Sequence, residues 1–295
     1  GFIPEITQDR KKCTICSWQN FCNKEAKENR YLTDIDGIGS KTAFLLKTNG
    51  ITNSLKLASY SEKELGEKLS LFKDQKYEKA SKFIKQAQAY ISGETFCIAN
   101  KNDSFDLLKK IRSGFYVFDI ESNPDLNHDF LYGFLKIDDF FIKKEDLVYE
   151  KILNLKNNKV QTYKEIIKML FSNKKWPVLH YGETEKIAII HIAKRLNFSL
   201  EEIELLKSRF IDLHILIRKY WILPIKNYSL KTVSNWIGFQ WEQKNVSGSK
   251  ALYWWIQYQI TKNKVFLEKI IKYNKDDCLA TLQIAKFLIK NKFKN

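Results

Sequence analysis

The stretch that most constrains the fold is Phe115–Asn123, where an apolar and aromatic run leads into two carboxylates and a Ser-Asn-Pro turn. Its β-forming residues, bounded by a glycine and a proline, predict a buried strand over Phe115–Ile120. Residues two apart on a strand share a face, so Asp119 and Glu121 point the same way. Adjacent buried acids repel each other unless a cation lies between them, which indicates half of a divalent-metal site. Alternatively, the two acids merely begin a solvated turn, an ordinary feature in a chain with 34 acidic residues.

Composition bounds the class of protein. The chain has 295 residues and a hydrophobic content of 44%, enough for one large or two ordinary globular domains. Its formal net charge of +16 favours a polyanionic partner, nucleic acid, although lysine enrichment from genomic base bias is an alternative. No apolar run is long enough to cross a bilayer and no signal peptide is evident, so we expect a cytoplasmic protein without a membrane partner. The first residue is Gly1 rather than Met, and we expect a fragment of a longer protein.

Three cysteines lie close together near the start. Cys13, Cys16 and Cys22 have the spacing C-x2-C-x5-C, which lets three thiolates converge on one metal ion or iron–sulfur cluster. Such a site needs a fourth ligand, which we expect upstream of Gly1. The alternative is three reduced thiols in a small hydrophobic knot. Five cysteines in this arrangement do not resemble a secreted disulfide framework.

A glycine-containing turn follows in Asp36–Lys41. Gly37 and Gly39 let the backbone turn tightly, so that main-chain N–H groups and a helix N-terminus can face a phosphate, with Lys41 adding positive charge. This pattern favours a helix-hairpin-helix that holds the nucleic-acid backbone without reading sequence. An ordinary tight turn between two helices is the alternative. The surrounding pattern predicts short helices over Thr42–Lys47, Ser54–Ala58, Glu62–Leu69 and Lys76–Ile91.

From Phe115 onward the pattern becomes mixed α/β. The predicted strands are Phe115–Ile120, Phe130–Ile137, Asp139–Lys143 and Pro177–His180. The predicted helices are Thr162–Phe171, Thr184–Leu196, Leu200–Leu206, Leu213–Trp221, Leu230–Ile237, Lys250–Thr261 and Lys264–Lys290. We therefore predict three segments: a cysteine cluster over residues 1–30, a helical nucleic-acid-binding region over 31–95, and an α/β domain over 105–295.

Two further acidic motifs follow. Glu185 comes after the short apolar strand that ends at His180, at the start of an apolar helix, where acids also suit the helix dipole. On the last long helix, Tyr273 and Asp277 are four residues apart and share the face that looks into the protein. Carboxylates are rarely buried without a partner, so an inward Asp277 indicates a nearby cation.

In this order and at these separations, the three motifs resemble the DEDD family of 3′–5′ exonucleases, in its tyrosine-bearing branch. The resemblance spans roughly Phe115–Leu288 and implies an RNase H-like mixed sheet flanked by helices, preceded by a small all-α helix-hairpin-helix domain. The arrangement is similar to that of RecB-like bacterial nucleases, whose iron–sulfur cysteines resemble Cys13, Cys16 and Cys22. It implies two-metal phosphodiester hydrolysis at single-stranded ends, with DNA favoured over RNA.

The resemblance also assigns roles to residues. It implies that two Mg2+ or Mn2+ ions are held by Asp119, Glu121, Glu185 and Asp277, and that Tyr273 orients the attacking water. Glu185 departs from the family, which usually has Asp at that place, so activity follows less directly than fold. His180 and Tyr181, which precede it, are assigned to nucleic-acid binding. Asp212 is a supporting acid or, equally well, the cap of the next helix.

The implied cofactors are therefore two divalent ions and a 4Fe-4S cluster with a fourth ligand outside the chain. The implied partners are nucleic acid and a helicase or repair subunit. Two other functions stay open: a catalytically weak binding module serving an upstream nuclease or helicase, and a scaffold whose charge is incidental. Trp254, Trp255 and Tyr258 cluster at helical spacing, which favours core packing over stacking on bases.

Overall fold

The computed structural model describes residues 16–71, 78–98, 106–155 and 159–291. The chain forms two compact units. The first comprises Gly1–Asn100 together with Arg218–Thr232, and the second comprises Lys101–Ile217 together with Val233–Asn295. The predicted segment boundaries at 1–30, 31–95 and 105–295 stay predictions.

Thirteen α-helices and seven strands are found in the described residues. The helices are α1 (Gln19–Glu28), α2 (Ser40–Thr48), α3 (Ser54–Ala58), α4 (Glu62–Ser70), α5 (Lys79–Ser92), α6 (Leu107–Ile111), α7 (Lys159–Ser172), α8 (Thr184–Arg195), α9 (Leu200–Arg209), α10 (Leu213–Tyr220), α11 (Leu230–Trp236), α12 (Gly248–Thr261) and α13 (Lys264–Lys290). The strands are β1 (Phe96–Cys97), β2 (Phe115–Asn123), β3 (His128–Ile137), β4 (Val148–Leu153), β5 (Val178–His180), β6 (Phe210–Asp212) and β7 (Trp221–Ile222). Three single-turn 3-10 helices lie at Leu32–Asp34, Pro124–Leu126 and Lys144–Asp146.

The first unit is mainly helical. Ser61 begins α4 with a capping box, in which its hydroxyl accepts from the backbone N–H of Glu64 and the Glu64 carboxylate accepts from the N–H of Ser61. Apolar residues of α2 to α5 and of the segment before α2 form one buried core. β1 pairs antiparallel with β7, which belongs to the later segment of this unit.

Buried polar contacts fasten that later segment within the first unit. The Arg218 guanidinium donates to both carboxylate oxygens of Asp36, at 3.3 Å and 2.8 Å. Gln86 on α5 donates to the carbonyl of Leu223 at 2.6 Å, and the Tyr228 hydroxyl donates to Gln86 Oε1 at 3.2 Å. Because these groups lie far apart in sequence, the membership of residues 218–232 in this unit is a tertiary feature without a local sequence pattern.

The second unit is built on a five-stranded mixed sheet with the order β4-β3-β2-β5-β6. β2 pairs antiparallel with β3 and parallel with β5, which places β2 at the centre. Its side chains alternate between two helical layers. Tyr116, Phe118 and Ile120 pack with residues of α7, α8 and α9, whereas Asp119 on the opposite face contacts α13. The unit is therefore a three-layer α/β/α structure, as expected.

A β-bulge lies beside the acidic motif of β2, between Glu121 and Ser122. Glu121 is opposite Leu131 and Ser122 is opposite Asp129, so Phe130 on β3 has no partner across the ladder. The Phe130 ring stacks on Trp255 at 4.4 Å, which anchors the extra residue in a second core cluster. Bulges increase the local twist and re-aim neighbouring side chains, and this one adjoins the carboxylates of β2.

One strand prediction is wrong. Asp139–Lys143 is not a strand, because the Asp139 carboxylate accepts from the N–H of Phe141 at 3.0 Å and closes a turn. The strand in this region is β4, which pairs with β3 from Leu131 to Lys136. Trp254 and Trp255 are buried in the core, as the helical spacing favoured. No helix among the described residues has both the length and the apolarity needed to cross a membrane.

Candidate metal centre

Three carboxylates that are distant in sequence converge beside the centre of the sheet. Asp119 and Glu121 point from β2 toward α13, and Asp277 points back from α13. One oxygen from each carboxylate lies within 4.8 Å of the others. Glu121 and Asp277 are buried, and Asp119 keeps part of its surface exposed. We call these three side chains the acidic cluster.

The electrostatics of the acidic cluster are unfavourable without a cation. Burial, followed by the charges of Asp277, Glu121 and Glu185, raises the pKa of Asp119 well above its usual range. Hard carboxylate oxygens are the ligands that Mg2+ and Mn2+ prefer. A divalent ion among them would replace repulsion by attraction, so the donor set fits such an ion.

Neutral donors hold two of the three carboxylates. The Asn274 side-chain amide donates to Asp119 Oδ2 at 2.7 Å. The Trp241 indole N–H donates to Asp277 Oδ1 at 2.6 Å. Outer donors of this kind fix the direction of ligand oxygens without adding a competing positive charge. Neither Asn274 nor Trp241 was predicted as a site residue.

Gly133 makes the Asn274 contact sterically feasible. It lies directly opposite Asp119 on β3. A Cβ atom at this position would lie 1.7 Å from Asn274 Oδ1 and 2.9 Å from the Tyr149 hydroxyl. That hydroxyl donates to Asn274 Oδ1 at 2.8 Å, so Gly133 leaves room for a chain of hydrogen bonds from Tyr149 to Asp119. A glycine inside a strand is the one sequence signal that marks such a close approach.

Glu185, the fourth predicted acid, is adjacent to the acidic cluster without being part of it. It lies in the first turn of α8 and is 5% exposed. Its charge contributes to the raised pKa of Asp119, but it is not one of the three residues that approach within 4.8 Å. Among the described residues its Oε2 atom has no hydrogen-bond partner. A buried carboxylate oxygen in that state is costly, and a cation is the partner that would satisfy it.

Tyr273 adjoins the acidic cluster from α13. It is 5% exposed and hydrogen-bonded to Asp277. Burial, the charges of Asp277, Glu121 and Asp119, and this hydrogen bond together raise the pKa of Tyr273 above its usual range. The phenol therefore stays protonated at neutral pH, where it can orient a bound molecule but cannot serve as a base.

Hydrogen bonds of two predicted site residues, His180 and Asp212, hold the turn between β5 and α8. Nδ1 of His180 donates to the carbonyl of Gly182 at 2.6 Å, and Gly182 adopts a φ of 106°. Asp212 Oδ1 accepts from the N–H of Gly182 at 3.0 Å and from the N–H of His214 at 2.8 Å. Asp212 thus holds the turn and caps α10. The Tyr181 ring lies 5.3 Å from the His214 ring.

The described part of the first unit contains the predicted phosphate-binding turn and two of the three predicted cysteines. Gly37 has a φ of 85°, as a tight turn requires, and Gly39 precedes α2, in whose first turn Lys41 is exposed. Cys16 is exposed and Cys22 half-buried, while Cys13 lies outside the described residues. The iron–sulfur and helix-hairpin-helix interpretations therefore stay predictions.

A comparison with protein families decides the classification of the second unit. The model of the RNase_H superfamily matches residues 116–289, more than half of the chain. The chain belongs to the RNase_H superfamily. The matched range contains all three residues of the acidic cluster, Glu185 and Tyr273. Searches of curated proteins and of solved structures found no match.

Membership in the RNase_H superfamily supports three general conclusions. It indicates a nuclease-type hydrolase, and it implies that the protein binds nucleic acid. The acidic cluster fits divalent-metal binding in such a domain. The match does not extend to the residues before 116, so it says nothing of a RecB-like part.

Proposed function

We propose that this protein is a metal-dependent 3′–5′ exonuclease that acts on single-stranded ends of DNA or RNA, with DNA favoured. The observation that carries the proposal is the convergence of Asp119, Glu121 and Asp277 within 4.8 Å in a chain of the RNase_H superfamily. The formal net charge of +16 suits a polyanionic substrate.

In this proposal Asp119, Glu121 and Asp277 hold the ions, and Glu185 supplies a further oxygen from the start of α8. Two Mg2+ or Mn2+ ions, when bound, supply an activated water and stabilise the leaving 3′ oxygen. Asn274 and Trp241 keep the carboxylates of Asp119 and Asp277 in place through their hydrogen bonds. The protonated Tyr273 hydroxyl orients the attacking water by hydrogen bonding.

The test uses single-stranded oligonucleotides labelled at either end, incubated with Mg2+, Mn2+ or EDTA. Asp119→Asn keeps the size of the side chain and should lower the rate at least about a hundredfold. Asp125→Asn is the matched control, because Asp125 is an exposed aspartate just beyond the same strand and should leave the rate unchanged. Equal rates for Asp119→Asn and wild type, or full activity in EDTA, would contradict the proposal.

The label position tests polarity separately. Release of mononucleotides from the 3′ label supports the exonuclease assignment, whereas release from the 5′ label leaves a metal-dependent nuclease of the opposite polarity. Tyr273→Phe should lower kcat while metal affinity is retained, since the ring is kept and only the hydroxyl is lost.

The position of Glu185 favours one alternative. Its oxygens lie outside the 4.8 Å group, and its side chain is one methylene longer than the Asp that the resembled family usually has at this place. The alternative function is a catalytically weak module that binds nucleic acid for an upstream nuclease or helicase partner. Such a module would bind single strands with steep salt dependence yet release no nucleotides with either metal.

A further inference from the structure

A cavity of about 570 Å³ opens on the second unit between α8, β6 and α10. Five aliphatic residues line it: Ile187, Ile190, Ile211, Ile215 and Leu216. Two of them are unusually exposed for isoleucine, with exposed fractions of 47% for Ile187 and 56% for Ile215. Concave, mainly apolar sites of this size accept flat organic ligands such as a nucleobase.

The cavity is lined by two basic and two acidic side chains. Lys110 of α6 and Lys186 of α8 both line it. Glu183 and Asp212 also contribute to the lining, but Asp212 Oδ1 already accepts two backbone N–H groups. An apolar slot that also presents two lysines matches a base joined to a phosphate better than it matches a purely apolar ligand.

One ring nitrogen of His180, Nε2, has no hydrogen-bond partner among the described residues. His180 lines the cavity and is only 1% exposed. Because its Nδ1 donates to the Gly182 carbonyl, the neutral ring has its lone pair on Nε2. A buried acceptor in this state is satisfied when a ligand N–H, such as that of a base edge, reaches it.

The cavity is also close to the acidic cluster. His180 Nδ1 lies 3.7 Å from Glu185 Oε2, and the Glu185 charge acts on Asp119. One side chain, His180, thus belongs both to the cavity lining and to the surroundings of the metal centre.

We propose that this cavity binds one unpaired nucleotide of a single-stranded nucleic acid, with the base between Ile187 and Ile215 and a phosphate near Lys110 and Lys186. The inference rests on the proposed nuclease function, because it assigns the nucleotide to the strand whose phosphate is cleaved. It explains a single-strand preference physically, since a base can enter the cavity only when it is unpaired and unstacked.

The test measures binding without catalysis. A short fluorescein-labelled oligodeoxyadenylate is titrated with the whole protein in EDTA and followed by fluorescence anisotropy. Ile215→Glu places a negative charge at the cavity and should weaken binding about tenfold or more, which is about 1.4 kcal/mol. Ile260→Glu is the matched control, because Ile260 is 70% exposed on α12 and does not line the cavity. Ile215→Leu keeps the apolar wall and should bind as the wild type does.

Each outcome decides the proposal. Selective weakening by Ile215→Glu supports it, and so does a raised KM with nearly unchanged kcat in Mn2+. Equal binding by Ile215→Glu and wild type overturns it, as does equal weakening by Ile215→Glu and Ile260→Glu. Failure of the nuclease function is distinguishable, because it would show as absent cleavage in Mn2+ while the binding difference in EDTA persists.

Discussion

Replacing Gly133 by alanine should lower the free energy of unfolding, although alanine is usually more stable than glycine inside a β-strand. Inside a strand, alanine is normally more stable than glycine by about 0.5–1 kcal/mol, because glycine loses more backbone entropy on folding. Gly133 has no backbone conformation that would penalise a side chain. Its added Cβ would, however, lie 1.7 Å from Asn274 Oδ1 and 2.9 Å from the Tyr149 hydroxyl. Asn274 must therefore move.

The expected decrease in the free energy of unfolding has two contributions. Forcing a methyl group into a packed interior costs about 1–3 kcal/mol. Moving Asn274 also removes its hydrogen bond to the Asp119 carboxylate, and bonds to charged groups contribute about 1.5–3 kcal/mol. After the strand preference is subtracted, we expect a decrease of about 2–5 kcal/mol in the free energy of unfolding. A domain of ordinary stability, about 5–15 kcal/mol, remains folded after such a loss.

The assay is urea unfolding of the metal-free protein, for the single variants and for Gly133→Ala combined with Asn274→Ala. In the double variant the methyl group no longer meets the amide, so the alanine at 133 should cost less than about 1 kcal/mol there. Gly248→Ala is the control, because a Cβ at Gly248 meets nothing within 4 Å. The reasoning is refuted if Gly133→Ala is stabilising, or if it costs the same with and without the Asn274 side chain.

Three further predictions address single side chains. Asp119→Asn should raise the urea midpoint of the metal-free protein but abolish its stabilisation by Mn2+. Because the pKa of Asp119 is raised in the folded state, the difference in free energy of unfolding between Asp119→Asn and wild type should grow as pH rises through that pKa. Trp241→Phe removes the donor to Asp277 and should weaken Mn2+ binding about tenfold by calorimetry. Asp36→Ala leaves the Arg218 guanidinium unpaired and should lower the free energy of unfolding by about 2 kcal/mol in urea.

Local patterns were sufficient to predict the central elements. The two-residue separation on a predicted strand placed Asp119 and Glu121 on one face, and helical spacing placed Tyr273 and Asp277 on the buried face of α13. Those rules depend only on periodicities of two and 3.6 residues, which the sequence displays directly. The rarity of buried, unpaired carboxylates indicated that each motif needs a cation, and the resemblance to the DEDD exonucleases implied that the motifs share one site.

Elements defined by pairing could not be predicted in the same way. Half of the six residues of β4 are exposed, and its strand character comes from pairing with β3. The aromatic pair Phe140–Phe141 therefore gave the stronger local strand pattern. Trp241, Tyr149 and Gly133 enter the site through contacts between distant parts of the chain, and the contact from Tyr149 to Asn274 spans 125 residues. No local periodicity encodes such a contact, although a glycine within a strand pattern gives a hint of one.

In most of the second unit, buried polar and charged groups find hydrogen-bond partners within the protein. Asp276, for example, is buried, and its Oδ2 atom accepts from the backbone N–H of Glu242 at 2.8 Å. The surroundings of the acidic cluster depart from this rule. At the acidic cluster, by contrast, burial and the charges of neighbouring acids raise the pKa of Asp119, and Glu185 Oε2 is buried without a hydrogen-bond partner among the described residues. Both features destabilise the metal-free protein, and one event, the binding of a cation between these side chains, would relieve both. Structural acids in a fold are normally satisfied by the protein itself, so side chains that only an external ligand can satisfy are better explained by function than by packing.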